Sequence, residues 1–159
     1  MPTPSPVIIV GYDGSPSSRA ALRLALDRLG SGKLFLVHGY HAPAEFWGAE
    51  HHDRLVEAAL DRGEAVLAEA ATVEPRLAGA EHELELIAGR PADVIIAVAE
   101  TRGADEIIVG TRGFGPVRGV LGSVAHALLR DAACPLTAVP DAAVERLTAR
   151  AGEDRISTP

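Results

Sequence analysis

Residues 7–16 read VIIVGYDGSP, a short apolar run that ends in a dense turn signal. An unbroken apolar run of this length is typical of a strand that is buried on both faces of a sheet. Ser15 followed by Pro16 is typical of a helix start, because a hydroxyl can cap the first turn and proline fits the first helical position. The stretch therefore predicts a buried strand, a turn and a helix in immediate succession.

The same succession repeats along the rest of the chain. Residues 81–87 alternate charged and apolar side chains, which indicates a strand with one wet face at the edge of a sheet. Helical spacing of apolar residues fills the segments between the strands, and Ser123 is predicted to cap the last, short helix. Five strands that alternate with four helices predict an α/β fold, in which a five-stranded parallel sheet is doubly wound with helices on both faces. The strands are predicted at residues 7–10, 34–37, 81–87, 106–109 and 135–139.

A single domain is predicted over residues 6–140. The chain has 159 residues, which is the size of one domain. Residues 1–5 and 141–159 are predicted to be flexible termini. The second of these is polar and rich in alanine, so we expect no more than one or two helical turns there.

The composition excludes several classes of protein. A net charge of −7 argues against a general nucleic-acid binder and against an anionic membrane surface, because both partners require a basic face. No apolar run approaches the ~20 residues of a membrane span. Cys134 is the sole cysteine, so no intrachain disulfide can form, and residues 1–6 do not resemble a signal peptide. We therefore expect a cytoplasmic protein without nucleic-acid or membrane partners.

The glycine-rich stretch at residues 110–123, GTRGFGPVRGVLGS, ends at the predicted start of the last helix. Free amides and the positive end of a helix dipole make such a position an anion site. Arg112 and Arg118 add positive charge, and the Ser123 hydroxyl can reach a phosphate or cap its own helix. A connection that merely turns the chain is the alternative, but five glycines are more than a turn needs. The stretch therefore predicts phosphate binding.

Two familiar phosphate motifs are absent from the sequence. A Walker loop requires Ser or Thr after Gly-Lys, whereas Leu34 follows Gly32 and Lys33. The dinucleotide fingerprint Gly-x-Gly-x-x-Gly is missing from the first strand–helix turn, which reads GYDG at residues 11–14. The predicted phosphate site is thus of another kind.

Several segments together resemble the universal stress protein family. They are GYDGS at 11–15, LVH at 36–38, GRPA at 89–92, GTRG at 110–113 with GSV at 122–124, and CP at 134–135. The resemblance covers about residues 6–140 and is to the ATP-binding branch, within the adenine-nucleotide α-hydrolase-like superfamily. It implies the strand order 3-2-1-4-5, a role in the stress response, ATP with Mg²⁺ as ligand, and a homodimer formed through the edge strand 135–139.

The resemblance also implies a set of nucleotide-binding residues. Asp13 would contact the ribose or a phosphate-bound Mg²⁺, although an aspartate that bonds its own turn is the alternative. The backbone near His38 would receive adenine, and the glycine-rich stretch would surround the ribose and phosphates. The full set is Gly11, Asp13, Val37, His38, Gly39, Gly110, Arg112, Gly113, Gly115, Val117, Arg118, Gly122, Ser123 and Val124.

One departure from the family pattern leaves a second function open. The ATP-binding branch carries Gly-x2-Gly-x9-Gly-Ser/Thr, whereas eight residues separate Gly113 from Gly122 here. One residue fewer removes up to about 3.5 Å of reach. The first hypothesis is an ATP-binding regulatory protein with at most slow hydrolysis and no catalytic residues. The alternative is a homodimeric stress-response interaction protein that does not bind ATP. An ATP pyrophosphatase is the least favoured reading, because residues 11–15 lack the Ser-Gly-Gly-x-Asp-Ser type of loop.

Other reactive residues give weaker predictions. His51, His52 and Asp53 suggest a metal site, but neighbouring residues on a helix point about 100° apart, which favours a solvated face. Cys134 is interpreted as an inert buried thiol. Trp47 is predicted either to cover the adenine or to pack under a loop.

Overall fold

The structure is a computed structural model that describes residues 5–41, 49–112 and 121–153. Its centre is a parallel sheet with the strand order β3-β2-β1-β4-β5. The predicted order and the parallel arrangement are confirmed. The strands are β1 (Val7–Gly11), β2 (Lys33–Tyr40), β3 (Glu81–Ala88), β4 (Glu106–Gly110) and β5 (Leu136–Val139).

Helices cover both faces of this sheet, so the prediction of a doubly wound α/β fold is confirmed. The helices are α1 (Pro16–Leu29), α2 (Ala49–Val73), α3 (Pro91–Arg102), α4 (Ser123–Asp131) and α5 (Asp141–Glu153), with a short 3₁₀ helix at Pro75–Gly79. Buried residues of α1 and α2 form one hydrophobic cluster, against which α5 packs, and buried residues of α3 and α4 form the other. No helix of the described ranges is both long and apolar enough to cross a membrane.

Strand β1 shows why its sequence is apolar without interruption. Ile8 and Val10 belong to the cluster on the α1 side, whereas Ile9 belongs to the cluster on the α3 side. All three are at most 2% exposed, because successive side chains of a strand point to opposite faces and helices cover both. Ser15 then caps α1 as predicted, since its side chain accepts the Ser18 amide and Pro16 begins the helix.

Strands β3 and β5 lie at the two edges of the sheet, as predicted. The expectation that the charged side of β3 is its wet face is not met, because Leu84 on the apolar side is 47% exposed and the Glu85 side chain only 21%. In β3, Glu83 and Glu85 form ion pairs with Arg102, and Glu83 also pairs with Lys33. These pairs compensate the charge of the carboxylates on this side of the strand. Strand β5 forms the opposite edge and contacts β4 alone among the described strands.

Two sequence-based expectations are wrong. Residues 141–153 form the 13-residue helix α5 rather than one or two turns. Its Ala143, Val144 and Leu147 pack against the cluster under α1, so tertiary burial stabilises an Ala-rich segment of weak pattern. Ser123 is not a cap: it is the first residue of α4, and the N-cap is Gly122, without a side-chain hydrogen bond.

Candidate functional site

A cavity of about 340 Å³ opens at the carboxyl ends of the central strands. Gly11 ends β1, Gly110 ends β4, and the last residues of β2 form a third wall. The strand order reverses at β1, because the chain continues from it to β2 on one side and later adds β4 on the other. Open α/β sheets bind ligands in the crevice at such a switch point.

Helix α3 narrows the cavity on the side of β2. A Cβ placed on Gly39 would lie 2.8 Å from the Cα of Pro91, and one on Gly11 would lie 2.7 Å from Cδ1 of Ile95. Pro91 and Ile95 both line the cavity. The two glycines therefore let α3 pack directly on the strand ends, where Pro91 and Ile95 add an apolar surface to the cavity wall.

Asp13 lies in the turn between β1 and α1 and lines the cavity. Its Oδ1 accepts the backbone N–H of Ser15 at 2.9 Å, and its own backbone N–H donates to Ser18 Oγ at 3.4 Å. The aspartate thus bonds its own turn, which is the alternative that the sequence left open. The same bond fixes the carboxylate at the cavity wall, so the turn role and a ligand role are compatible.

His38 is held by the backbone of Tyr12, the residue that follows β1. The Tyr12 amide donates to the Val37 carbonyl at 2.9 Å, and His38 Nδ1 lies 2.7 Å from the Tyr12 carbonyl. Because a carbonyl can only accept, Nδ1 carries the hydrogen in this bond. In a neutral imidazole, Nε2 is then the acceptor that this ring can offer.

Tyr12 lines the cavity between Gly11 and Asp13. Burial raises the pKa of its hydroxyl, and the Glu69 carboxylate raises it further. Its side chain is 2% exposed and belongs to the cluster on the α1 side. Tyr12 therefore stays neutral at ordinary pH and contributes packing and backbone bonds rather than charge.

The N-terminus of α4 faces the cavity without a capping side chain. Gly122 is the N-cap, and its carbonyl accepts the His126 amide at 2.9 Å, as the first helical bond requires. The next residues, Ser123 to Ala125, line the cavity. Amides at these positions have no acceptor within their own helix, and the helix dipole places partial positive charge there. This is the physical basis of an anion site.

The glycine-rich loop begins after β4 and ends at this helix terminus, and its two ends lie next to each other. The Gly122 amide donates to the Thr111 carbonyl at 2.7 Å, and Ser17 Oγ donates to the Arg112 carbonyl at 2.5 Å. Residues 113–120 lie outside the described ranges. Four predicted site residues fall among them, namely Gly113, Gly115, Val117 and Arg118.

All other predicted site residues line the one cavity. They are Gly11, Asp13, Val37, His38, Gly39, Gly110, Arg112, Gly122, Ser123 and Val124. The sequence reading missed several residues of the same wall: Tyr12, Ser18, Pro91, Ile95, Val109, Thr111 and Ala125. For Pro91, the helix entry GRPA was visible, but only the register of β2 with β3 brings that entry over Gly39.

The weaker candidates lie apart from the cavity or outside the described ranges. Nowhere in the described parts of the chain do three His, Cys, Asp or Glu side chains converge as they would around a metal ion. Cys134 is partly buried, and burial raises the pKa of its thiol. Trp47 lies outside the described residues.

Comparison with known proteins identifies the family. The model of the universal stress protein family matches residues 6–140. The chain belongs to the universal stress protein family. A universal stress protein of Thermus aquaticus is 34% identical over 136 residues, which are 83% of this chain and 96% of that protein.

Two solved universal stress proteins have the same fold and carry adenine nucleotides. One, in complex with cAMP, is 27% identical, has a TM-score of 0.62, and covers 84% of this chain and 96% of its own. The other, from Arabidopsis thaliana with AMP bound, has a TM-score of 0.60 and covers 85% of this chain and 91% of its own. At 19% identity the second likeness shows the fold alone.

Proposed function

We propose that this universal stress protein binds ATP in the cavity and acts as a nucleotide-dependent regulatory module in the stress response. One observation carries the proposal: the N-terminus of α4 begins after Gly122 without a side-chain cap and lines a cavity at the strand switch point. A helix start of this kind supplies amides and positive potential to phosphate oxygens.

The proposed orientation of the nucleotide follows from the chemistry of the walls. Adenine lies against the backbone of β2 at Val37 and Gly39, where Pro91 and Ile95 supply an apolar surface. The ribose lies near Asp13, and the phosphates lie at the first turn of α4. The universal stress protein in complex with cAMP supports an adenine nucleotide as the ligand class.

The residues present fit a Mg²⁺ ion that arrives with the nucleotide. Mg²⁺ is usually held by one or two carboxylates together with phosphate oxygens and water, rather than by a cage of protein ligands. Asp13 is the carboxylate of the described cavity wall. We propose that Asp13 holds Mg²⁺, directly or through water. The ion neutralises the part of the phosphate charge that Arg112 and the N-terminus of α4 do not compensate.

Slow hydrolysis is part of the proposal. A general base must be within hydrogen-bond reach of the attacking water. The Asp13 carboxylate accepts the Ser15 amide and lies on a wall that we assign to ribose or Mg²⁺. His38 is held by Tyr12 on the adenine side. The described wall therefore offers binding groups for phosphates rather than a base for water, which fits a protein whose state depends on the bound nucleotide.

The second candidate is an interaction protein that does not bind ATP. The spacing of eight residues between Gly113 and Gly122 favours it, because a shorter loop reaches less far around a triphosphate. Both candidates share a homodimer, which we propose to form through the free edge of β5.

Nucleotide content and calorimetry separate the two candidates. The purified protein is denatured and the released nucleotides are identified by mass spectrometry, and ATP, AMP and cAMP are titrated in Mg²⁺. We expect co-purified adenine nucleotide and tighter binding of ATP than of AMP, because the added phosphates engage the α4 terminus. If the purified protein carries no nucleotide and binds neither ATP, AMP nor cAMP, the result would favour the interaction protein that does not bind ATP.

A glycine pair provides the matched variants. A Cβ on Gly122 would lie 3.0 Å from the Thr111 carbonyl oxygen, whereas one on Gly79 would meet nothing within 4 Å. We expect Gly122→Val to weaken ATP binding at least about tenfold, and Gly79→Val to leave it unchanged. Equal affinities of the two variants would contradict the placement of the phosphates at α4.

A further inference from the structure

One hydrogen bond joins the two ends of the glycine-rich loop and a second ties its entry to α1; we call Thr111, Arg112 and Gly122 the neck of that loop. The Thr111 carbonyl accepts the Gly122 amide at 2.7 Å, which ties the exit of the loop to its entry. The Arg112 carbonyl accepts Ser17 Oγ at 2.5 Å, which ties the entry to α1. These bonds determine where the loop leaves the sheet and where it returns.

Ser17 is the only one of these partners that does not line the cavity. It is the second residue of α1 and is 1% exposed, so its hydroxyl has no access to solvent water. Ser15 Oγ also approaches the Arg112 carbonyl, at 3.4 Å, but it caps the Ser18 amide at 3.3 Å as well. Ser17 therefore provides the shorter bond to the neck.

Gly110 makes the approach of Ser17 possible. A Cβ on Gly110 would lie 2.8 Å from the Ser17 Cβ and 2.9 Å from its carbonyl carbon. Atoms do not remain that close, so any larger residue would push α1 away from β4. The absence of a side chain at the end of β4 is thus explained by Ser17 on the α1 side as well as by the cavity.

We propose that Ser17 is a positioning residue for the phosphate end of the nucleotide site. It does not touch the ligand. Its hydroxyl fixes the position of the Arg112 carbonyl. Because the neighbouring Thr111 is hydrogen-bonded to Gly122, the same bond also fixes the start of α4 relative to α1 and to the turn that carries Asp13. The proposal rests on the proposed function, because the phosphates are placed at that helix start.

If Ser17 positions the phosphate end of the site, its loss should weaken the binding of ATP more than that of adenosine. Adenine is assigned to β2 and α3, which are not connected to Ser17 by these bonds. We expect Ser17→Ala to weaken binding of Mg-ATP roughly three- to tenfold, which is what the loss of one intramolecular hydrogen bond allows. We expect binding of adenosine to change by less than about twofold, because its base is assigned to β2 and α3 and it carries no phosphate to place at the start of α4.

The test is calorimetry with Mg-ATP and with adenosine on wild type, Ser17→Ala and Ser17→Thr. The Thr variant keeps the hydroxyl and should recover ATP affinity. Ser31→Ala is the control, because Ser31 is exposed and its hydroxyl lies 3.3 Å from Ser5 Oγ, away from the neck. Equal weakening of both ligands, or no weakening of either, in Ser17→Ala overturns the positioning role.

A measurement without nucleotide keeps the inference separate from the proposed function. Amide exchange at Gly122, followed by NMR in the ligand-free protein, reports whether the neck is closed. We expect faster exchange in Ser17→Ala and unchanged exchange in Ser31→Ala. If wild type binds neither ligand, the proposed function fails, and unchanged Gly122 exchange in Ser17→Ala would show in addition that Ser17 does not hold the neck.

Discussion

At the scale of single residues, the packing of α3 beside the cavity requires glycine at two strand ends, Gly39 and Gly11. Gly39 faces backbone: a Cβ there would lie 2.8 Å from Pro91 Cα and 3.2 Å from Pro91 N. Gly11 faces side chains instead, at 2.7 Å from Ile95 Cδ1 and 2.9 Å from Val109 Cγ1. Backbone atoms at a helix start yield only if the helix moves, whereas methyl groups yield by small rotations. The two glycines should therefore differ in their tolerance of alanine.

We expect Gly39→Ala to lower the free energy of unfolding by about 3 kcal/mol and Gly11→Ala by about 1 kcal/mol, within the range of overpacked cores. Gly79→Ala is the control, because its Cβ would enter open space. Urea unfolding at neutral pH measures all three. A Gly39 variant that is as stable as the Gly79 variant would mean that α3 does not press on β2 as the structure shows.

At the scale of elements, Glu74 joins three helices on the face opposite to α3. It follows α2, begins the 3₁₀ helix and is 3% exposed. Its carboxylate accepts Arg76 Nε at 2.9 Å and lies 3.4 Å from Nε of Arg23 in α1, and Arg76 continues to Asp27 at 2.7 Å. Burial alone would raise the pKa of the Glu74 carboxyl, but the hydrogen bonds and charge of Arg76, with Arg23, lower it overall.

We expect Glu74→Gln to lower the free energy of unfolding at pH 7 by about 1–3 kcal/mol, a range reduced from that of a fully buried pair because Arg76 is a third exposed. A depressed carboxyl pKa stabilises the fold above the pKa of the unfolded state, about 4.3, and this contribution is lost as the pH falls through the lower pKa of the folded state. The difference between wild type and variant should therefore shrink from pH 7 to pH 3. Unfolding curves over this range measure it, and a difference that grows in acid would contradict the sign.

Whether an element could be predicted depended on how its stability arises. Strands buried by two helix layers show unbroken apolar runs, so the sheet was readable from residues such as Ile8 and Ile9. Helix α5 was underestimated because its stability comes from α1, through Val144 and Leu147, and not from its own pattern. The cap of α4 was assigned to Ser123 on propensity, yet the chain turns one residue earlier, at a glycine whose amide closes the neck.

At the scale of the whole molecule, the site is assembled from segments far apart in sequence. The strand ends and the glycine-rich stretch were predicted because each has its own local pattern. Pro91 and Ile95 were not, because their place over β2 depends on how α3 packs across the sheet. Local patterns thus indicated the phosphate end of the cavity. The end assigned to adenine also needs Pro91 and Ile95, and their position depends on tertiary packing, which residue spacing does not encode.

The outer edge of β5, which pairs with no further strand of the described ranges, is where we expect a second copy to bind. The Pro135 carbonyl accepts the amide of Ile107 in β4, and the Val139 carbonyl accepts the amide of Thr111 just after β4, at 2.9 Å each. Because alternate residues of a strand direct their backbone groups to the same side, those of Leu136 and Ala138 face the free edge. An edge strand with unpaired backbone groups is a template for pairing with another strand.

We expect the wild-type chain to be a dimer at micromolar concentration and Ala138→Pro to be a monomer. Proline removes the outward N–H of Ala138 and keeps the bonds of its neighbours to β4, which is why proline is tolerated at sheet edges. Ala138→Val retains the N–H, so it is the matched control and should remain dimeric. Light scattering after size exclusion gives the mass, and calorimetry with Mg-ATP shows whether the site survives, since no residue of β5 lines the cavity. A wild-type monomer would contradict the proposed dimer, and a proline variant with the mass of a dimer would place the contact between subunits elsewhere.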